Sequence, residues 1–288
     1  MWLLFFVIVL VWGFNYLFVA VGLGSAGPLW LATLRAGVGA ITVVALVTGL
    51  RQWHVLDGRG RRDALLLGIP NTALFFGLWF TAAERVLPGV TAVVIYTFPL
   101  WVALLSAPIL GHRLAPRHWL AVGAGFVGVA LISQIWLVGG GAASVVPIVE
   151  LLAAAIAWAV GTVLFQRRFR SEEMSEANAF QLIGGAAALA VVTVGLAPTP
   201  LPHFTLALWV AALWLGALGT AVAYAIWFML LGRTRAATLS AYVFLVPVVA
   251  LTASAVFFGE RLSPVQLVGV GLVLVSIYGI ARAGAARA

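Results

Sequence analysis

The chain has no cysteine, which excludes disulfides and thiolate metal sites. It has no lysine either, so all sixteen basic residues are arginine. Charged residues make up only 8% of the 288 positions against 64% hydrophobic, far too few to cover a soluble globule of this length. An integral membrane protein with the lipid bilayer as its surroundings is expected. Aspartate is nearly missing: Asp57 and Asp63 flank one short loop. The four histidines (His54, His112, His118 and His203) fall in or beside expected loops with no ligand spacing. No metal site, cofactor or catalytic set follows from such a supply, and the chain does not read as an enzyme. The formal charge of +8 would point to nucleic acid if the arginines shared one soluble face. They sit instead in short gaps between apolar runs, so no nucleic-acid partner is expected.

Those runs number ten: 2–23, 29–50, 63–83, 89–111, 118–138, 145–167, 177–197, 204–231, 238–258 and 265–281. Each is about the roughly 20 residues that a helix needs to cross hydrocarbon, where unpaired backbone is not tolerated. The first lacks a basic leader and a cleavage site, so it is read as a span rather than a signal peptide. With the N-terminus in the cytoplasm, the inner loops and tail hold Arg51, Arg59, Arg61, Arg62, Arg113, Arg117, Arg167, Arg168, Arg170, Arg233, Arg235, Arg282 and Arg287. The outer loops hold Arg85 and Arg261, and Arg35 lies within the second run. That imbalance predicts that both termini are cytoplasmic.

One stretch occurs twice. Residues 79–132 lie without gaps on 227–280, an offset of 148 (79 to 227), which sets Trp79 on Trp227, Phe80 on Phe228, Arg85 on Arg233 and Pro99 on Pro247. The turn Gly-x-Arg-Leu-x-Pro recurs at Gly111–Pro116 and Gly259–Pro264. In the first two runs of each copy the offset becomes 146, placing Trp12 on Trp158 and Arg35 on Gln181. Self-similarity of this kind marks a duplicated unit. Five runs per copy is an odd number, so the second copy must cross the membrane in the opposite sense. The expected fold is all-α: ten transmembrane helices in two inverted five-helix repeats, 1–142 and 143–288, around a central cavity. Such repeats commonly rock to expose a shared site alternately to each side.

The residues Trp12-Gly13-Phe14-Asn15, Leu34-Arg35-Ala36, Phe98-Pro99-Leu100 and Gly259-Glu260-Arg261-Leu262-Ser263-Pro264, with Gln266 and Gly269 after them, carry a likeness. Essentially end to end, the sequence resembles the EamA-type transporters of the drug/metabolite transporter superfamily, and looks most like the YddG-type amino-acid exporters of bacterial inner membranes. The resemblance implies a ten-helix bundle with a central cavity that exports small metabolites. One departure is His112 in the first copy where the second has Glu260.

Candidate cavity residues follow from depth and spacing. Trp12, Trp101 and Trp158 lie near the middle of their runs, where an indole N–H needs a partner or a wet space. Trp12, Asn15 and Tyr16 share a helical face with Val19, and an amide at that depth points inward. Tyr96, Pro99 and Trp101 bracket a proline break, echoed by Ser240, Tyr242 and Phe244 before Pro247. Phe76, Trp79, Tyr224 and Trp227 are expected around the same space. Arg35, about 9 Å from the outer end of its run at 1.5 Å per residue, fits three roles: snorkelling outward, holding a substrate carboxylate, or bracing the bundle. Glu150 is read as interfacial. Gly123, Ala124, Gly128, Gly269 and Gly271 allow close backbone approach and mark the fifth and tenth runs as buttresses.

The expected function is export of a small metabolite, an aromatic or neutral amino acid, by alternating access. With no acid or histidine at mid-depth, uncoupled facilitated efflux is expected, by a monomer in the inner membrane. A proton-coupled drug or metabolite pump is the alternative, and a membrane protein that binds or signals without transporting is another.

Overall fold

The computed structural model describes residues 2–53, 55–111, 142–196, 199–233, 246–259 and 261–285, with isolated positions between 120 and 131 and at 236 and 239. The described residues are helical or in turns, with no strand among them. Helix α1 spans Trp2–Leu23 and α2 spans Pro28–Gly49. Then come α3 (Gly58–Ala83), α4 (Pro88–Leu110), α5 (Ala142–Arg168), α6 (Ser171–Leu196) and α7 (Leu206–Leu231). Two further apolar helices, α8 (Val246–Phe258) and α9 (Pro264–Ala285), complete the set. All described positions between 120 and 131 are helical too. This multi-pass, all-helical bundle accommodates the ten expected crossings.

Local chemistry sets the ends. Pro28 and Pro88 open α2 and α4 at a position that needs no N–H. The Asp57 carboxylate accepts from the Gly60 N–H at 2.6 Å and starts α3. Helix α3 therefore begins five residues before the apolar run, because its first turn is polar and reads as loop, and Arg59, Arg61 and Arg62 are helical rather than loop residues. The Thr205 hydroxyl caps α7 in the same way. The two repeated turn glycines, Gly111 and Gly259, have φ of +74° and +65°, a left-handed conformation that explains a glycine at both places.

The packing repeats as the sequence does. Helix α3 packs on α6 as α7 packs on α2; α4 packs on α5 as α8 packs on α1; α3 meets α5 as α7 meets α1. Helices α2 and α6, counterparts in the two copies, run antiparallel: the Thr33 and Thr193 hydroxyls bond at 2.8 Å near one end, and the Glu176 carboxylate accepts from the Leu56 N–H at 2.9 Å near the other. These two equivalent helices thus point in opposite directions. Leu3, Phe6, Ile41, Leu206 and Val256 project outward, as side chains facing lipid do. Of the small residues in the fifth and tenth runs, Gly128 and Gly269 are in close contact, since a Cβ on Gly128 would lie 2.6 Å from the Gly269 carbonyl oxygen. Gly123 and Gly271 face open space instead.

Candidate substrate site

The centre of the bundle is built from six helices. Helix α1 supplies Trp12, Asn15 and Tyr16 from one face, α2 supplies Arg35, and α3 supplies Phe75 and Trp79. Helix α4 adds Ile95, Tyr96 and Phe98, α5 adds Trp158, and α7 adds Tyr224. Helix α4 is interrupted at Tyr96–Thr97 and restarts at Phe98 with Pro99 in its first turn. The Val94 carbonyl accepts from the Thr97 hydroxyl at 2.7 Å and from the Thr97 N–H at 3.1 Å, so local donors satisfy it at the break. In an unbroken helix Tyr96 and Phe98 would point about 200° apart at 3.6 residues per turn. The interruption brings both to the cavity.

Two other distortions occupy matching places. Ile69–Leu74 in α3 and Trp214–Val222 in α7 are π-helical, and the offset of 148 lays the first within the second. Pro70 has no N–H for a regular helical bond, which accounts for the first. Wide turns of this kind collect at functional sites.

The rings touch throughout. Trp158 and Tyr224 centroids are 4.8 Å apart, Tyr16 and Trp79 5.0 Å, Phe75 and Trp158 5.1 Å, and Trp12 meets Trp158 edge-on at 6.3 Å and 88°. The Trp12 Nε1–H donates to the Gly219 carbonyl at 3.1 Å. The space left between them is about 20 Å³, room for about one water. The open hollow expected from the sequence is thus nearly closed in this conformation, because aromatic side chains fill it from all sides.

Arg35 is the polar centre. It is 1% exposed, so the snorkelling role is ruled out: its helix turns it inward, to α3 and α7, instead of along the axis to the surface. Its guanidinium carbon lies 4.0 Å from the Phe76 ring centroid and 4.8 Å from that of Trp79, and Nε donates to the Thr220 hydroxyl at 2.9 Å. Among the described residues no carboxylate pairs with it, and its Nη1 has no partner. The Tyr224 hydroxyl and the Asn15 Oδ1 are likewise unpartnered and buried. A buried cation satisfied by ring faces and one hydroxyl is expensive. The arrangement can do one thing well chemically: receive an anionic group.

The structure brings Trp12, Asn15, Tyr16, Arg35, Trp79, Tyr96, Trp158 and Tyr224 to one cavity. Phe76 and Trp227 stand directly behind, Phe76 under Arg35 and Trp227 5.4 Å from Trp12. Pro99 and Trp101 do not line it; Trp101 lies nearly a turn beyond Phe98, only partly buried at the edge of the core. Ser240, Tyr242 and Phe244 lie outside the described residues. Phe75, Ile95 and Phe98 also line the cavity; as apolar residues among apolar neighbours they carry no signal of their own in the sequence, apart from the Pro99 break beside Phe98.

Glu150 accepts from Arg85 at the arginine-poor end and is partly exposed. A second acid, Glu176, is completely buried. It accepts from the Val55 and Leu56 N–H groups at 2.7 and 2.9 Å and from Arg61 Nε at 3.1 Å. It ties α6 to α3 at the arginine-rich end, away from the cavity.

Comparison with known proteins agrees with this architecture. The chain is 28% identical over 281 residues to an uncharacterised transporter of Synechocystis sp., covering 93% of this chain and 85% of that one. It is 27% identical over 284 residues to an Escherichia coli K12 protein named as a probable amino-acid metabolite efflux pump, covering 94% and 91%. It is 25% identical over 277 residues to the uncharacterised inner membrane transporter YedA of the same strain, covering 94% and 87%. A solved crystal structure, 22% identical, matches 97% of this chain and 96% of its own with a TM-score of 0.70, a likeness in fold. The description "EamA-like transporter family" matches residues 1–134 and 146–282, and the chain belongs to that family.

Proposed function

We propose that this protein exports small carboxylate-bearing metabolites, neutral and aromatic amino acids in particular, across a bacterial inner membrane, with both termini in the cytoplasm. The observation that carries the reading is Arg35: a buried guanidinium without an acidic partner among the described residues, its Nη1 unpaired, inside an aromatic cavity. A carboxylate would supply the missing charge through a charge-assisted hydrogen bond. The aromatic faces suit an apolar side chain and, by cation–π attraction, an ammonium group. The relative named as an amino-acid metabolite efflux pump supports the same class. The nearly closed cavity is read as one stage of alternating access, in which one repeat rocks against the other.

Transport is read as uncoupled. A proton- or sodium-driven cycle commonly rests on an acid within the cavity, and none of the described lining residues is one; the buried Glu176 is held by Arg61 and two backbone donors elsewhere. The test is counterflow in proteoliposomes with proton and sodium gradients collapsed, using labelled neutral amino acids. Exchange under those conditions is expected. Exchange that appears only when an ion gradient is restored would overturn the uncoupled reading, and no flux of any carboxylate would overturn the substrate class.

A further inference from the structure

The two copies share more than helices. Under the offsets of 146 and 148, Asn15 corresponds to Gly161 and Gly219 to Asn71, while Arg35 corresponds to Gln181 and Thr220 to Thr72. The contacts correspond as well. A Cβ on Gly219 would lie 2.3 Å from the Asn15 Oδ1, and one on Gly161 would lie 1.8 Å from the Asn71 Oδ1. Gly39 sits against Thr220 as Gly185 sits against Thr72. The Arg35 site therefore has a structural twin, centred on Gln181.

The twin is polar, uncharged and unsatisfied. Asn71 Nδ2 donates to Gln181 Oε1 at 2.8 Å, and Gln181 Nε2 donates to Asn178 Oδ1 at 3.0 Å. Among the described residues the row ends in a free acceptor, Asn71 Oδ1, and a free donor, Asn178 Nδ2, and the Thr72 hydroxyl beside Gly185 is unpartnered too. Each of these residues is at most 1% exposed. Buried polar atoms left unpaired are costly, and native structures keep few without a role. Gln181 is about 15 Å from the arginine-rich start of its helix at Ser171, short of the midpoint of that 26-residue helix, and Arg35 is about 10 Å from the opposite end of its own, at 1.5 Å per residue. One site thus lies on each side of the middle.

We propose that the amide cluster of Asn71, Asn178 and Gln181 is a second substrate site on the transport path, which takes the carboxylate and ammonium of an amino acid on the arginine-rich side before or after Arg35 holds it. The proposal rests on the transport reading above. Asn178 Nδ2 and the Thr72 hydroxyl offer donors to a carboxylate, and Asn71 Oδ1 offers an acceptor to an ammonium. The absence of charge suits a waystation, which must bind firmly enough to be entered and weakly enough to be left.

The test compares fluxes of neutral amino acids with those of the matching amines that lack the carboxylate, net of leak in protein-free vesicles, in wild type, Asn178→Asp, Asn178→Leu and Arg35→Gln. Melting temperature in detergent identifies the folded variants. Loss of a bond to a charged group lowers the amino-acid to amine flux ratio about tenfold or more in both Asn178 variants. If Arg35→Gln lowers that ratio while folded Asn178 variants keep the wild-type ratio, the second site is wrong and the transport reading stands. A parallel fall in both fluxes marks a structural role and also overturns the proposal. If the wild type moves none of the amino acids, both readings fall. Should neither Asn178 variant fold, Thr72→Val, which removes the other donor offered to the carboxylate, is measured against the same ratio and decides in the same way.

Discussion

The Arg35 side and the Gln181 side of the bundle are built from the same contacts at different tightness. A Cβ on Gly68 would lie 2.1 Å from the Gln181 carbonyl oxygen, while one on its counterpart Gly216 would lie 2.9 Å from that of Arg35. At the next pair, a Cβ on Gly185 would lie 2.3 Å from the Thr72 side chain and one on Gly39 2.9 Å from that of Thr220. The Asn–Gly crossings follow the same order, 1.8 against 2.3 Å. All three differences have one sign, and the cavity opens beside Asn15 and Arg35 and not beside Asn71 and Gln181. At these three crossings the arginine-rich half is clamped more tightly than the other, as expected if the proposed rocking cycle rests at one of its two ends. The opposite arrangement would exchange the tightness.

The largest expected effect tests that clamp directly. In Gly68→Ala the added methyl meets backbone, the Gln181 carbonyl at 2.1 Å and the Gly185 nitrogen at 2.5 Å, so helices must separate. Overpacking of this severity costs about 3 kcal/mol, more than the gain of about 1 kcal/mol from replacing a helical glycine. The methyl of Gly216→Ala meets the Val38 Cβ at 2.5 Å but backbone only at 2.9 Å, the Arg35 carbonyl oxygen, so it should cost less. Thermal melting of the two purified variants checks the order; equal midpoints would erase the asymmetry.

Next comes the charge. Arg35→Gln should lower carboxylate flux by about tenfold to a hundredfold, the worth of a hydrogen bond to an ion, and yet raise the melting temperature, since a buried cation without a counter-ion destabilises the fold. Activity and stability moving in opposite directions is the signature of a group kept for function. Arg35→Lys should not restore flux, because an ammonium cannot present the planar fork that stacks on Phe76 and reaches Thr220.

Much of this is legible in the residues alone. The duplicated stretch, the apolar runs and the mid-depth Trp12 and Trp158 led to the bundle and its centre, because length and depth leave a direct mark on a chain. The facing of Arg35 did not, since depth alone does not say whether a long side chain turns along its helix or into the bundle. Asn71 was hidden for a different reason. The Asn–Gly contact is kept in both copies, but asparagine stands on α1 in one and on α3 in the other, so an alignment shows two mismatches where the structure shows one conserved crossing. Phe75 and Phe98 gave no contrast with their apolar neighbours.

A smaller effect separates cavity from core. Trp158→Phe removes part of a ring that touches Trp12, Phe75 and Tyr224, and should change the ratio of tryptophan to leucine flux by about twofold to tenfold, from aromatic contacts worth about 0.5–1.5 kcal/mol. Trp101→Phe, off the cavity, should leave that ratio as it is.

The smallest effect lies at the arginine-poor end, where Arg85 donates to Glu150 between the end of α3 and the start of α5. Their side chains are 39% and 21% exposed, and a pair so open to solvent is worth under about 1 kcal/mol. Glu150→Gln should therefore hardly move the melting temperature. The same pair bridges the looser half, so its loss acts on the balance between the two arrangements, where 1 kcal/mol is about a fivefold change in population. The chain has no cysteine of its own, so Ile95→Cys places a single thiol at the cavity, and its labelling rate by a water-soluble maleimide reports opening. The rate should rise up to about fivefold with Glu150→Gln at low salt, and the gap should close at about 1 M salt, where exposed charges are screened within about 3 Å. An unchanged rate at every salt concentration would show that the looser half is held by its packed helices and not by this ion pair.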